Sequence, residues 1–197
     1  MPAVYANGKI VSGGVLEEIA RVVGFDYTPP AILEPVVLME RWYEILTTAV
    51  GLIRQIPDAS LSATSPEMGR TLLAMCWHIV SIGRVYLLEY DEVPSRTPRP
   101  DDVVTTEQLG AFGEETRELL RTWWDEIGQF DPLDRVVETY QGIQTLHEYL
   151  ERETWHTAHH TRQITLFMRE TLGLTPVDPL TPEVLEGLPL PDQIWGG

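Results

Sequence analysis

The stretch Thr145–Gly173, "TLHEYLERETWHTAHHTRQITLFMRETLG", decides the fold of this chain. It reads as a helix from about Thr145 to Leu172 that stops at Gly173. Each residue of an α-helix turns by about 100°, so positions three and four apart share a face. On that count His156 and His160 stack along one stripe, which Glu153, Gln163, Ile164 and Phe167 roughly continue. His159 falls one step away from His160, toward the flank, and His147 is half a turn out of phase with His156. A long helix with an apolar, imidazole-bearing stripe needs other helices to cover it.

The rest of the chain supplies them. Residues 32 to 56 have helical spacing (Val37, Met39, Trp42, Tyr43, Leu46, Val50, Ile53), with Pro35 tolerable only in the first turn. Ser65-Pro66 predicts an N-cap and N1 proline for a second helix, running to about Glu92. The proline-rich "PSRTPRPDD" then leads to a third helix, capped by Thr106 and ended by Gly128. "QFDPLDRVVETYQGIQ" connects it to the fourth, with scope for extended pieces. Four amphipathic helices with one long crossover predict an all-α four-helix bundle.

Ahead of the bundle, "AVYANGKIVS" reads as a hairpin about Asn7-Gly8, because that pair suits the type I′ turn. In "GGVLEEIARVVG" the apolar Val15, Leu16, Ile19, Val22 and Val23 share a helical face, and Gly24 is a natural stop. Two strands and one helix are too few to bury a core, so this piece is expected to pack on the bundle's side. The tail allows one short helix after Thr181-Pro182, then an extended end. The expected organisation is therefore a ββα piece over 1–30, the bundle over 31–172 and a tail over 173–197.

Composition narrows the function. With 14 basic and 30 acidic residues the net charge is −16, and Lys9 is the one lysine. Such a surface repels nucleic acid and anionic membranes, so a small-molecule substrate is the expected partner. The single cysteine, Cys76, excludes an internal disulfide and sits in an apolar helical run, as a buried thiol would. No signal peptide and no membrane span is expected, which fits a cytoplasmic protein. Trp123, Trp124 and Trp195, taken as exposed, suggest a homodimer.

Two histidines four apart place their imidazoles at a separation one divalent ion bridges. The same spacing also serves a merely hydrogen-bonded helix face. His78, in "CWHIVSIGR" midway along the second helix, is the other histidine in an apolar helical setting, and a buried imidazole needs partners. Three neutral imidazoles would leave coordination positions for water or substrate. Each would need a partner on its other ring nitrogen, and Glu153 is the nearest in sequence, with Gln163 a further candidate. Glu153 has a plainer reading, as a solvated carboxylate or a partner of Arg152 or Arg162. Binding is expected to weaken below about pH 6 as imidazoles protonate.

The mid-helix histidine and the H-x-x-x-H of "WHTAHHTRQI" resemble the DinB-like (YfiT-like) superfamily of metal-binding four-helix bundles over roughly residues 31 to 172. That resemblance implies one divalent ion, zinc or nickel, on His78, His156 and His160, with His159 not a ligand. It also implies a transferase that uses a low-molecular-weight thiol as cofactor, with a non-catalytic metal-binding, structural or sensing bundle as the alternative. "TYQGIQTLHEYLERETWHTAHHTRQI" with "LEGLPLPDQIW" looks like a subgroup carrying a glutaredoxin-like domain ahead of the bundle. "PAVYANGKIVSGGVLEEIARVVG" is similar to the last hairpin and helix of that thioredoxin-type fold. The half that would carry its active cysteine is not in this sequence, so residues 1–30 are expected to be a structural remnant.

Overall fold

The computed structural model describes residues 3–12, 16–28, 31–65, 69–93, 98–139 and 142–195. Four long helices form the bundle: α2 (Pro35–Arg54), α3 (Leu72–Tyr90), α4 (Thr106–Glu126) and α5 (Leu146–Glu170). The principal packings are α2 on α5, α2 on α4, α3 on α4 and α3 on α5. The helices therefore run round the bundle in the order α2, α4, α3, α5, which sets α3 beside α5.

Local chemistry fixes the helix ends. Pro35 stands in the first turn of α2, where its missing N–H leaves no bond unmade. At α5, Thr145 Oγ1 accepts from Glu148 N–H at 3.2 Å, while Glu148 Oε2 accepts from Thr145 N–H at 2.6 Å. This reciprocal capping box satisfies two orphan backbone donors, and such a cap stabilises by about 1 kcal/mol.

Two helix starts differ from the sequence reading. The cap of α4 is Thr105, not Thr106, because Gln108 stands three residues on and its Oε1 accepts back from Thr105 N–H at 3.0 Å. Thr106 instead donates through N–H and hydroxyl to Asp58 Oδ1, at 2.8 and 2.9 Å. The helix α3 starts at Thr71, whose hydroxyl accepts from Ala74 N–H at 3.2 Å, rather than at Ser65-Pro66. The chain first doubles back on itself: Ser65 N–H donates to Arg70 O at 2.9 Å and Leu72 N–H to Ala63 O at 2.8 Å. Those bonds occupy backbone groups that a helix would need; Pro66 itself lies outside the described residues.

The crossover between α4 and α5 holds a second hairpin, β3 (Val136–Thr139) against β4 (Gly142–Thr145). The first hairpin, β1 (Ala3–Ala6) and β2 (Lys9–Ser12), pairs Tyr5 with Ile10 across its turn. Asn7 and Gly8 both have positive φ, 49° and 77°, as a type I′ turn demands. Helix α1 (Leu16–Val23) is tied to the hairpin by Asn7 Nδ2, which donates to Val22 O at 2.7 Å. Val15 lies outside the described residues, and Val23 is exposed rather than on a covered stripe. A two-stranded hairpin is too narrow to cover more. Among the described residues, neither core cluster of the bundle draws a side chain from this ββα piece.

One cluster gathers Trp42, Tyr86, Trp123, Tyr149 and Leu150, the other Leu52, Ile53, Leu72, Cys76, Ile79 and Phe167. Each such side chain, fully buried, contributes about 1.5–3 kcal/mol. By length and composition α3 is apolar enough to cross a membrane, but more than half of that stretch is buried inside the bundle. Along α5 the burial passes from Leu150 in the first cluster to Ile164 in the second. His156 and His160 lie on that passage.

Candidate metal centre

The buried face of α5 is polar at its middle: Glu153, Thr154, Thr157, Thr161 and Gln163 are all buried. The threonines satisfy themselves by donating one turn back, Thr157 to Glu153 O at 2.7 Å and Thr161 to Thr157 O at 2.8 Å. Trp42 Nε1–H donates to Thr157 Oγ1 at 2.9 Å, which packs α2 against the same turn. These bonds satisfy the buried hydroxyls on the turns of α5 from which His156 and His160 emerge.

Helix α3 brings His78 to them. The ring centroids of His78, His156 and His160 are 5.0, 4.7 and 4.7 Å apart, and one ligand atom from each lies within 4.8 Å of the others. Nε2 of His78 and Nε2 of His156 are 3.3 Å apart. Two nitrogens on one tetrahedral zinc are separated by about 3.4 Å, so the donor set fits a divalent ion.

The other ring nitrogens are held. His156 Nδ1 lies 3.1 Å from Glu153 Oε2, and a carboxylate oxygen accepts, so this imidazole donates from Nδ1 and leaves Nε2 bare. His160 Nδ1 lies 2.7 Å from Gln163 Oε1. The Gln163 amide nitrogen is committed to Ile194 O at 2.8 Å and His159 Nε2 at 3.2 Å, which fixes Oε1 as the atom accepting from His160. Two bare Nε2 lone pairs thus converge with His78, an arrangement that a cation relieves.

Electrostatics favour the neutral form of His78 and His160. Burial, reinforced by the neighbouring His156 and Arg70, lowers the His78 pKa to about 4. Burial also pushes His160 far down, with His156 and His78 adding to it and the Gln163 hydrogen bond opposing it. Glu153 is buried, and Arg152 Nε stands 3.9 Å from its second oxygen. Arg162 turns the other way and donates to Pro191 O at 3.1 Å.

His159 is buried off this cluster, accepting from Gln163. Its Nδ1 has no hydrogen-bond partner among the described residues. His147 reaches Leu33 O at 2.8 Å, far from the triad in sequence phase and in contact. Cys76 is fully buried, and desolvation raises its thiol pKa far above the ordinary range.

Sequence reading missed the residues around the triad. Ser65, Arg70, Met75 and Trp195 line a cavity of about 10 Å³ together with His78, His160 and Gln163. Trp195 is not the exposed aromatic expected: it is partly buried and packs on the second core cluster. Trp123 is buried in the first cluster, with Trp124 packed against it, so the premise for a dimer is gone.

No family model matches this sequence, and no curated protein matches it. Among solved structures the chain is similar to the crystal structure of a DinB-like protein from Bacillus cereus, with a TM-score of 0.58. The two are 18% identical, and the likeness covers 73% of this chain and 95% of that one. The chain has the DinB-like fold: a four-helix bundle, here with a small β-hairpin ahead of it.

Proposed function

We propose that this protein binds one divalent metal ion, zinc or nickel, through His78, His156 and His160. The observation that carries the reading is the convergence of three imidazoles whose ligand atoms lie within 4.8 Å of one another. In support, Glu153 and Gln163 hold the outward nitrogens of two of them, so the lone pairs already face inward. Among the described residues no fourth histidine, cysteine or carboxylate joins the group, which leaves coordination positions for solvent or substrate.

The finer reading is a transferase that uses a low-molecular-weight thiol. A divalent ion there supplies Lewis acidity, which makes a thiolate available at neutral pH. The chain's own residues do the rest. His78 and His160 stay neutral at pH 7 and so present lone pairs. Glu153 draws the His156 Nδ1–H and strengthens that imidazole as a donor. The net charge of −16 favours a small molecule over nucleic acid or an anionic membrane as partner, in the cytoplasm. On this reading residues 1–30 serve as a structural ββα appendage that resembles the last hairpin and helix of a glutaredoxin-like fold.

The narrowness of the cavity favours a second reading, a non-catalytic metal-binding or sensing bundle in which the ion pins α3 to α5. Titration of Zn²⁺ and Ni²⁺ into the untagged, metal-free protein and into His78→Ala tests the shared core of both. Binding at one equivalent that falls steeply in His78→Ala is expected. Equal affinity in the two proteins removes α3 from the centre. Thiol-transfer assays on the loaded protein then separate the two readings.

A further inference from the structure

The segment that follows α6 (Pro182–Leu185) returns to the middle of the bundle. Arg162 Nη1 donates to Pro191 O at 3.1 Å, and one turn-step on, Gln163 Nε2 donates to Ile194 O at 2.8 Å. Two successive residues of α5 thus hold the backbone of this strap from below. Trp195 follows, packs against the second core cluster and forms a wall of the cavity beside His78 and His160. That cavity, about 10 Å³, has room for about one water.

Gln163 is the joint of the arrangement. Its oxygen accepts from His160 Nδ1–H, and its nitrogen donates to the strap. The two ends of the amide act separately, so the strap can leave without depriving His160 of its acceptor. Among the described residues the strap is held by a pair of side-chain to backbone bonds and one partly buried indole. A bond of that kind is exchanged for one to water when the strap lifts, so the indole on the core is the larger barrier to an incoming ligand.

We propose that Trp195 determines which ligands reach the metal centre, with the strap 191–195 admitting ligands no wider than a water molecule as it lies and larger thiols only when the indole is moved aside. This rests on the metal-binding reading above and deepens it, because it makes size, set outside the bundle helices, the basis of selection. The class selected is a small sulfur or anionic ligand; a bulky peptide-like thiol is excluded.

The test uses the full chain loaded with Co²⁺, whose visible absorption reports on its ligands, and two probes, azide and glutathione. In the wild-type protein azide shifts the spectrum, and glutathione does not. In Trp195→Ala glutathione produces a sulfur-to-cobalt charge-transfer band with at least about tenfold tighter binding, while azide affinity stays within about twofold. Trp195→Phe, which keeps a large ring on the core cluster, continues to exclude glutathione and controls for loss of folding. Glutathione binding the wild-type protein as tightly as Trp195→Ala overturns the proposal, and so does its exclusion from both while azide binds both. Failure of the wild-type protein to take up cobalt overturns the metal reading itself, and this inference with it.

Discussion

Replacing Glu153 by Gln should move metal affinity and metal-free stability in opposite directions. The carboxylate is 1% exposed, accepts from His156 Nδ1–H at 3.1 Å, and has Arg152 Nε 3.9 Å from its other oxygen, which makes no hydrogen bond among the described residues. Glutamine keeps the shape and can still accept from His156 through its amide oxygen. What it loses is the charge. A hydrogen bond to a charged acceptor contributes about 1.5–3 kcal/mol and a neutral one about 0.5–1.5, so the loss is about 1–1.5 kcal/mol. That corresponds to roughly a tenfold weaker metal affinity, at the low end of the 10–100-fold range that partners of ligating histidines command. Without metal the sign reverses. A poorly compensated buried charge costs several kcal/mol, and removing it should leave the metal-free protein as stable or more so. Competition against a chromophoric chelator measures the affinity, and urea unfolding of the metal-free protein measures the stability. Zinc affinity unchanged within about twofold would refute the claim that Glu153 acts through His156 on the metal. A large loss of metal-free stability would instead make Glu153 a structural anchor.

Three further outcomes are expected. His159→Gln should leave metal content nearly unchanged and cost at most about 1 kcal/mol, the net worth of its bond from Gln163; metal analysis showing loss in His159→Gln but not in His156→Gln would overturn the phase assigned to α5. The stability of the metal-free protein should fall as pH drops from about 6.5 toward 4, because the His78 pKa is lowered to about 4 while the unfolded imidazole protonates near 6.5. The stability this neutral burial allows is complete above the unfolded value, and up to about 3 kcal/mol is lost on the way down; urea midpoints across that range should show the fall, and a shallower one in His78→Asn. Gly113→Ala should destabilise by about 1–2 kcal/mol, since its Cβ would lie 2.6 Å from Val50 Cγ2 and 3.0 Å from Val80 Cγ1 on two facing helices. That overpacking outweighs alanine's helix preference and should lower Tm by a few degrees in a thermal melt.

The four helices were legible because periodicity survives into structure wherever a face is buried. Leu38, Met39, Trp42, Ile45, Leu46, Ala49, Val50 and Ile53 of α2 recur at helical spacing and are buried. The ends were less legible, for a specific reason. Ser65-Pro66 has the form of a helix start, yet the backbone of Ser65 and Arg70 pairs with itself and delays α3 to Thr71. A cap motif states only that a side chain can satisfy a helix end; it cannot say whether the backbone has a competing partner. At α4 two adjacent threonines offered the same cap, and the position of Gln108 chose between them. The hairpin β3–β4 has four-residue strands like β1–β2, but no Asn-Gly pair stands between them, so the sequence offered only extended pieces there.

The site divides along the same line. His156 and His160 are linked by the helix itself, so their common face follows from the period alone, and the bare pair of Nε2 atoms needs only Glu153 and Gln163, each three residues away. His78 is joined to them by packing, and what makes it eligible is that α3 is apolar around it: a lone imidazole buried there must meet something polar across the interface. Trp195 had neither kind of signal. Its place over the centre depends on the last stretch of the tail, 191–195, which is held by bonds to carbonyl oxygens at Pro191 and Ile194 that any residue type would offer. Backbone acceptors carry no sequence signature, so a strap held by them is invisible until the fold is built. The donors, by contrast, are side chains, and Arg162 and Gln163 stand next to His160 and His159 on the most informative helix of the chain. In this chain that polar pair, with no acidic partner within its own turn of α5, is where the distant backbone of Pro191 and Ile194 comes to rest.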